Sequence, residues 1–333
     1  MRGLSVAQYE ALQNDIDKPL LNRALRGAYP PGSTVKPFYA LAALKYNVMT
    51  PEKTIFCPGH FSLPGSRHLY RDWKPKGHGT IAMRHAIAQS CDVYFYTVAE
   101  KLGIDHMHDF MSSFGFGEVT GIDIPGEKPG LMPSVEWKRR TYKRAAEQVW
   151  FPGDTISIGI GQGYMLATPL QLAHAVSSIA ARGENFKPRL VVGVRQAGSE
   201  TVTARAVVPQ PPITGSTPEQ WGVVVDGMEE AAGPGGTAAR AAAGAPYRMA
   251  GKTGSAQVFT IGQNEKYNEK EVSERMLDHA LFIAFAPADD PKIAVAVFVE
   301  NGKHGASTAA PIARKMFDAF LLPDKPPSPA EPP

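Results

Sequence analysis

The sequence predicts a mixed α/β (α+β) protein in which an antiparallel sheet is flanked by helices. Three observations carry this. Helix-like segments separated by Gly/Pro-rich turns recur along most of the 333 residues. Strand-like runs gather towards the C-terminal end, at 249–259, 279–286 and 292–299. The last two are joined by Pro287-Ala288-Asp289-Asp290, a turn cluster that makes them an antiparallel hairpin.

Composition sets outer bounds. At 43% hydrophobic and 20% charged, the chain has the make-up of a folded protein. Its 35 Lys+Arg against 32 Asp+Glu leave a net charge of +3, which argues against a nucleic-acid binder or a polybasic membrane anchor. Two cysteines are too few for a disulfide scaffold. The longest clean apolar run is 293–299, far short of a transmembrane helix. The opening MRGLSVAQYEALQND has no apolar core and is not a secretory signal.

The elements follow in order. The first 30 residues are polar and close on the loop signal Gly27-Ala28-Tyr29-Pro30-Pro31-Gly32. A helix is expected from Ser33 through STVKPFYALAALKYN, with Pro37 in the first turn, where a missing N–H costs little. Residues 51–78 hold Pro51, Pro58, Pro64 and Pro75 and read as irregular. Helices at 80–89 and 92–102 follow, the second stopped by Gly103. Residues 115–155 read as loop, and Lys138-Arg139-Arg140 within them as a solvated face. Thr168-Pro169-Leu170-Gln171 is a capping-box start for a helix running to Gly183. A strand is expected within the Val/Thr/Pro-rich 191–215, then a helix at 217–232 that breaks at Gly233-Pro234-Gly235-Gly236, and a last helix at 307–321. One domain over 1–322 is expected, followed by a disordered tail, 323–333, with six prolines in eleven residues.

Three short motifs carry chemistry. Ser33-Thr34-Val35-Lys36 sets a serine and a lysine three apart at a helix start, on one face. The helix N-terminus favours the negative charge that develops when a hydroxyl attacks, and a desolvated lysine there can take its proton. It is the only Ser-x-x-Lys in the chain. Ser90-Cys91-Asp92, 57 residues later at a helix junction, is the only Ser-x-Asp or Ser-x-Asn; its plainer reading is a helix N-cap by Ser90 or Asp92. Lys252-Thr253-Gly254 lies 162 residues further on, in a strand whose glycine permits close backbone approach. Gly159-Ile160-Gly161-Gln162-Gly163 lacks the glycine spacing of a dinucleotide loop. His106 and His108, two apart on a helix, read as surface residues.

This set is the Ser-x-x-Lys, Ser-x-Asn/Asp, Lys-Thr-Gly signature of penicillin-binding proteins and class A β-lactamases. With AYPPGSTVKP, YRDWKPKGHG, GFGEVTGIDIPGE, GDTISIGIGQGYMLATPLQLA and AGKTGSAQ, the chain resembles the transpeptidase domain of the penicillin-binding protein 2 family over about 10–322. These are class B enzymes of rod elongation. The resemblance implies a β-lactamase/transpeptidase-like fold, helices on both sheet faces, and an all-helical subregion carrying Ser90. It implies that Ser33 is the acyl-forming nucleophile, Lys36 its base, and Ser90 a proton relay assisted by Lys252. Thr253 and Ser255, flanking Gly254, would bind the substrate carboxylate, with the N–H groups of Ser33 and Ser255 as oxyanion hole. Asp92 stands where most relatives carry Asn, adding a negative charge beside two lysines. The glycine run 159–163 would border the active site. Family members carry sheet strands ahead of the nucleophile, after a membrane helix and a pedestal domain. None of the 32 residues before Ser33 read as those strands, so a C-terminal portion of a longer, anchored protein is expected.

Cys57, Asp72, His78 and Cys91, spaced 15, 6 and 13 apart, are ligand types a closed Zn²⁺ site accepts. The spacing matches no short zinc motif, and His60 or His68 could replace a ligand. The two cysteines could equally form a disulfide or remain buried thiols. Some members of the resembled family carry a structural zinc at corresponding positions. No cofactor is expected for catalysis.

The function implied by the resemblance is D,D-transpeptidation of peptidoglycan stem peptides through a serine acyl-enzyme that β-lactams also form. Partners implied are the stem peptide, β-lactams, a polytopic glycan polymerase and other elongation proteins, at the periplasmic face of the inner membrane; nucleic acid is not among them. The alternatives are a D,D-carboxypeptidase, a serine β-lactamase or a non-catalytic β-lactam sensor. No Glu-x-x-Leu-Asn run lies between Ser90 and Lys252 to supply the deacylating glutamate of class A enzymes.

Overall fold

The computed structural model describes residues 3–258 and 272–322. The expected tail therefore lies outside the described residues. A three-stranded antiparallel sheet holds Ala250–Ala256, His279–Ala286 and Ile293–Val299 in that order. Lys252 pairs with Ile283 across one ladder, and Ala284 with Val295 across the other.

The middle strand is apolar at nearly every position because both its faces are covered. Leu281, Ile283 and Phe285 join the main core, with Phe38 and Leu41 of the Lys36–Lys45 helix and Leu172 and Val176 of the Pro169–Ala180 helix. Ala280, Phe282, Ala284 and Ala286 join a smaller core closed by Ala313 and Phe317 of the Ala310–Leu321 helix. Helices thus sit on both faces, as expected. The long Asp92–Ser113 segment packs on the Lys36–Lys45 helix, and the Phe38 and Phe114 rings meet edge to face at 5.0 Å. Truncating a side chain such as Phe38 to alanine costs about 3–5 kcal/mol in such a core.

Several local expectations are corrected. Gly103 is not among them: at φ 69° and ψ 162° it breaks the helix as expected, and a second helical run follows it to Ser113. Residues 51–78 are not wholly irregular. Ile55–Cys57 pairs with Gly79–Ile81, and His60–Phe61 with Tyr70–Arg71. Within 115–155, short helices form at Val135–Thr141, Ala145–Gln148 and, overlapping its end, Pro152–Ile158. Helices this short persist through packing rather than propensity. Lys138 is the sharpest correction: it is buried, paired with Asp154 at 2.5 Å, and sits over the rings of Trp150, Phe151 and Tyr164. Only Arg139 and Arg140 of that run are exposed. The polar start holds a helix, Val6–Asn14, closed by a Ser5/Gln8 capping box. The Thr168/Gln171 capping box is present, its helix ending at Ala180. The 191–215 stretch holds a two-stranded hairpin, Gly193–Arg195 with Val202–Ala204. Among the described residues, no helix is long and apolar enough to cross a membrane.

Candidate active site

Ser33 lies in a 3₁₀ turn, Gly32–Val35, that runs straight into the Lys36–Lys45 helix, rather than in the α-helix itself. The turn is clamped on two sides. The Gly32 N–H donates to Gly161 O at 2.9 Å. Gly161 has φ 71°, and a Cβ there would lie 2.2 Å from Gly32 O, so only glycine fits. On the other side, a Cβ on Gly254 would lie 2.8 Å from Thr34 Cγ2. The glycine of the Lys-Thr-Gly motif thus lets the nucleophile's turn pack against the strand, and Gln162 Nε2 donates to Ser255 O at 3.4 Å. Ser33 itself stays half-buried between these two walls.

Lys36 is fully buried. Its Nζ donates to Ser90 O at 2.8 Å, Ser90 Oγ at 3.2 Å and Asp92 Oδ1 at 2.6 Å. These three partners use all three N–H bonds of an ammonium. The other Asp92 oxygen accepts the Trp73 N–H at 2.9 Å. Ser90 occupies a tight turn between the Met83–Ala88 and Asp92–Ser113 helices and holds φ 57°. A non-glycine residue there costs on the order of 1 kcal/mol, and the bonds to Lys36 offset it. Neither Ser90 nor Asp92 is the N-cap: Cys91 is, its Sγ accepting the Tyr94 N–H at 3.5 Å. That frees both polar side chains for Lys36.

Lys252 is also fully buried, and its Nζ donates to Thr253 O at 3.0 Å. Burial, and then the positive Lys36, push its amine well below the usual lysine range, with Asp92 opposing. The folded protein therefore binds the Lys252 proton less tightly than the unfolded chain does. The buried ammonium costs stability in full below the lowered value, and the cost fades as pH rises from there to the ordinary lysine range. Lys252→Met is accordingly expected to be more stable than wild type at about pH 6, by a margin that shrinks by about pH 9. Denaturant unfolding of both proteins at the two pH values reads this; a margin that does not shrink would contradict the shift.

Cys57, Asp72, His78 and Cys91 come together, their ligand atoms all within 4.8 Å of one another. Asp72 Oδ2 accepts from both thiols at 3.4 Å, and His78 Nδ1 lies 3.6 Å from Cys57 Sγ and 3.4 Å from Asp72 Oδ1. Neither cysteine is in a disulfide. Burial, then the Asp72 carboxylate, push the Cys91 thiol far up, and burial lowers His78. His78 Nε2 is buried without a hydrogen-bond partner, so the polar contacts of the ring are all on its Nδ1 side. Two thiols, an imidazole and a carboxylate converging in a largely buried space match a closed tetrahedral zinc site in donor type and number. His60 and His68 are outside this group. The cluster adjoins the Lys36 partners through the chain: Cys91 separates Ser90 from Asp92, and Asp72 precedes Trp73.

The structure thus joins Lys36, Ser90 and Asp92 directly, packs the Ser33 turn against the strand that carries Lys252, Thr253, Gly254 and Ser255, and sets Lys252 near Lys36 and Asp92. Sequence reasoning missed Trp73 and Thr237. Thr237 Oγ1 lies 2.9 Å from Thr253 Oγ1. Trp73 sits inside one of the family-like stretches, but nothing in one sequence pairs its N–H with Asp92.

A buried lysine bonded to a serine hydroxyl, three residues after a half-buried serine in a helix-start turn, is an arrangement chemically able to perform serine acyl transfer on an α/β fold. The chain belongs to the penicillin binding protein transpeptidase domain family, which matches residues 4–318. It is 45% identical over 320 residues to the peptidoglycan D,D-transpeptidase MrdA of Acinetobacter baumannii, a match covering 96% of this chain and 46% of that one. It resembles the crystal structure of Pseudomonas aeruginosa PBP2 in complex with WCK 5153, at TM-score 0.83 and 45% identity, covering 96% of this chain and 65% of that one. The complex between PBP2 and MreC from Helicobacter pylori is similar at TM-score 0.80 and 33% identity, covering 96% and 55%. The chain spans about half the length of the curated relatives it matches.

Proposed function

We propose that this chain is the acyl-transfer domain of a peptidoglycan D,D-transpeptidase of the rod-elongation machinery. The observation that carries it is Lys36 Nζ bonded to both Ser90 and Asp92 at the foot of the turn that bears Ser33. In the proposed reaction, Ser33 Oγ attacks the carbonyl carbon of a D-Ala-D-Ala amide while Lys36 takes the hydroxyl proton. Lys36 does this as the neutral amine, its third N–H proton having passed to solvent before the substrate binds. The N–H groups of Ser33 and Ser255 receive the oxyanion. The C–N bond breaks, and Ser90, 3.2 Å from Lys36, passes the proton to the departing D-Ala amine. An amine from a second stem peptide then attacks the ester, its proton returns to Ser33, and the cross-link is formed. β-Lactams would acylate Ser33 by the first half of this sequence. Slow release of the acyl group separates this reading from a β-lactamase, which would turn over quickly.

Thr253 and Ser255 supply hydroxyls for the substrate carboxylate, and Lys252 supports Ser90. Thr253→Val is expected to slow acylation by a carboxylate-bearing penicillin about tenfold, since a hydrogen bond to a charged group is lost. The melting temperature should stay unchanged; an unaltered acylation rate would refute the role.

A structural zinc held by Cys57, Asp72, His78 and Cys91 fits the donor set. It would pin the 57–78 loop to the Ser90–Asp92 turn and supply no catalytic chemistry. The sheet's outer strand, Ile293–Val299, is uncharged and has one neighbour among the described residues. An open apolar edge of this kind invites another strand. It suits the strands that family members carry ahead of the nucleophile, so residues 1–322 form one domain that such strands complete. The parent protein would act at the periplasmic face of the inner membrane with a polytopic glycan polymerase. That assembly is supported by relatives solved with MreC and in a peptidoglycan synthase complex.

A further inference from the structure

We propose that Thr237 is a positioning residue that orders the Thr253 hydroxyl for the substrate carboxylate; this rests on the transpeptidase reading above. The Thr253 side chain leaves the strand face with its γ-oxygen 2.9 Å from that of Thr237, and it donates to Thr237 in this structure. Each hydroxyl can both donate and accept. When a carboxylate arrives, Thr253 turns its proton to the anion and Thr237 donates to Thr253 in its place. Two hydroxyls in series polarise one another, so the donor facing the anion is stronger than a lone threonine. Without Thr237, the Thr253 hydroxyl would have to find its direction on its own.

The chain is shaped to place Thr237 there. The Pro218–Ala232 helix ends in Gly233-Pro234-Gly235-Gly236, and the chain doubles back so that Ala238 N–H donates to Ala231 O at 2.7 Å. A Cβ on Gly236 would lie 2.1 Å from Glu230 O, so the turn closes only with glycine at that position. The Thr237 N–H then donates to Ala88 O at 3.3 Å, two residues before Ser90. One residue therefore touches the segment leading to the second motif with its backbone and the third motif with its side chain. The same helix packs closely on the Met83–Ala88 helix, where a Cβ on Gly227 would lie 3.0 Å from Ile87. The turn is thus braced against the element that carries Ser90.

The test compares acylation of the full-length protein by a penicillin with a free carboxylate and by its methyl ester. Thr237→Val is expected to lower the second-order rate constant for the acid about tenfold. It should leave the rate for the ester within about twofold, because the ester offers no anion to order against. Thr237→Ser should restore the acid rate, and in a Thr253→Val background Thr237→Val should add no further loss. Equal losses on acid and ester, no loss at all, or a serine variant as slow as the valine one would each overturn the proposal. If the valine variant does not fold, Thr237→Ala against Thr237→Ser gives the same comparison. A wild-type protein that no penicillin acylates would defeat the transpeptidase reading instead, whereas an acylated wild type with an unaffected Thr237→Val defeats this proposal alone.

Discussion

Ser33→Ala is expected to abolish covalent labelling by a fluorescent penicillin, with no change in melting temperature. Ser33 is half-buried and its backbone, not its hydroxyl, holds the clamped turn, so the fold should not register the loss. On the proposed mechanism labelling needs the Ser33 hydroxyl as nucleophile, and alanine has none. Lys36→Ala should slow labelling by about 10²–10⁴-fold, the usual worth of a positioned base. It should also lower stability, unlike Ser33→Ala. Removing Lys36 strands the buried Asp92 carboxylate with only the Trp73 N–H, and breaking a buried pair costs about 3–5 kcal/mol. Gel labelling and thermal melts of the two variants read both effects. Persistent labelling in Ser33→Ala would mean that the nucleophile is another residue.

Stripping metal from the purified protein with a chelator is expected to lower the melting temperature and to slow acylation together. Binding at about a thousandfold over its dissociation constant contributes about 4 kcal/mol, a drop on the order of 5–10 °C in a chain of this size. Acylation should follow because Cys91 lies between Ser90 and Asp92, and Asp72 adjoins the Trp73 N–H that Asp92 accepts. Loosening the cluster loosens the groups that hold Lys36. Cys57→Ser should reproduce the chelated behaviour, since Cys57 enters the cluster without belonging to the Ser90 turn. Elemental analysis finding no metal in freshly purified protein, or a Cys57–Cys91 disulfide by mass spectrometry, would sink the zinc site.

Much of the site was legible in the chain because its chemistry is local. Ser-x-x-Lys, Ser-x-Asp and Lys-Thr-Gly are short patterns, each present once, and the hairpin that carries the sheet is announced by its own turn residues. The Cys/Asp/His cluster was legible by residue type but not by spacing. Its members arrive from two short strand pairs and a helix cap, and no sequence period links those elements. Thr237 gave no signal, since its role depends on a strand that follows it by 16 residues and a helix that precedes it by 149.

Where local rules failed, packing overrode them. Lys138 reads as a solvated cation, yet Asp154 and three aromatic rings take up its charge in the interior. The sequence by itself determined which side chains are the candidates for the chemistry, where the sheet lies, and the helix start that presents Ser33. Those depend on neighbours within a few residues. The tertiary structure alone decided that Lys36 spends its three protons on Ser90 and Asp92, that Lys252 is driven towards its neutral form, and that four side chains of metal-ligand type converge beside them. Each of these depends on burial and on distances between groups remote in the chain, and those are set only when the core closes.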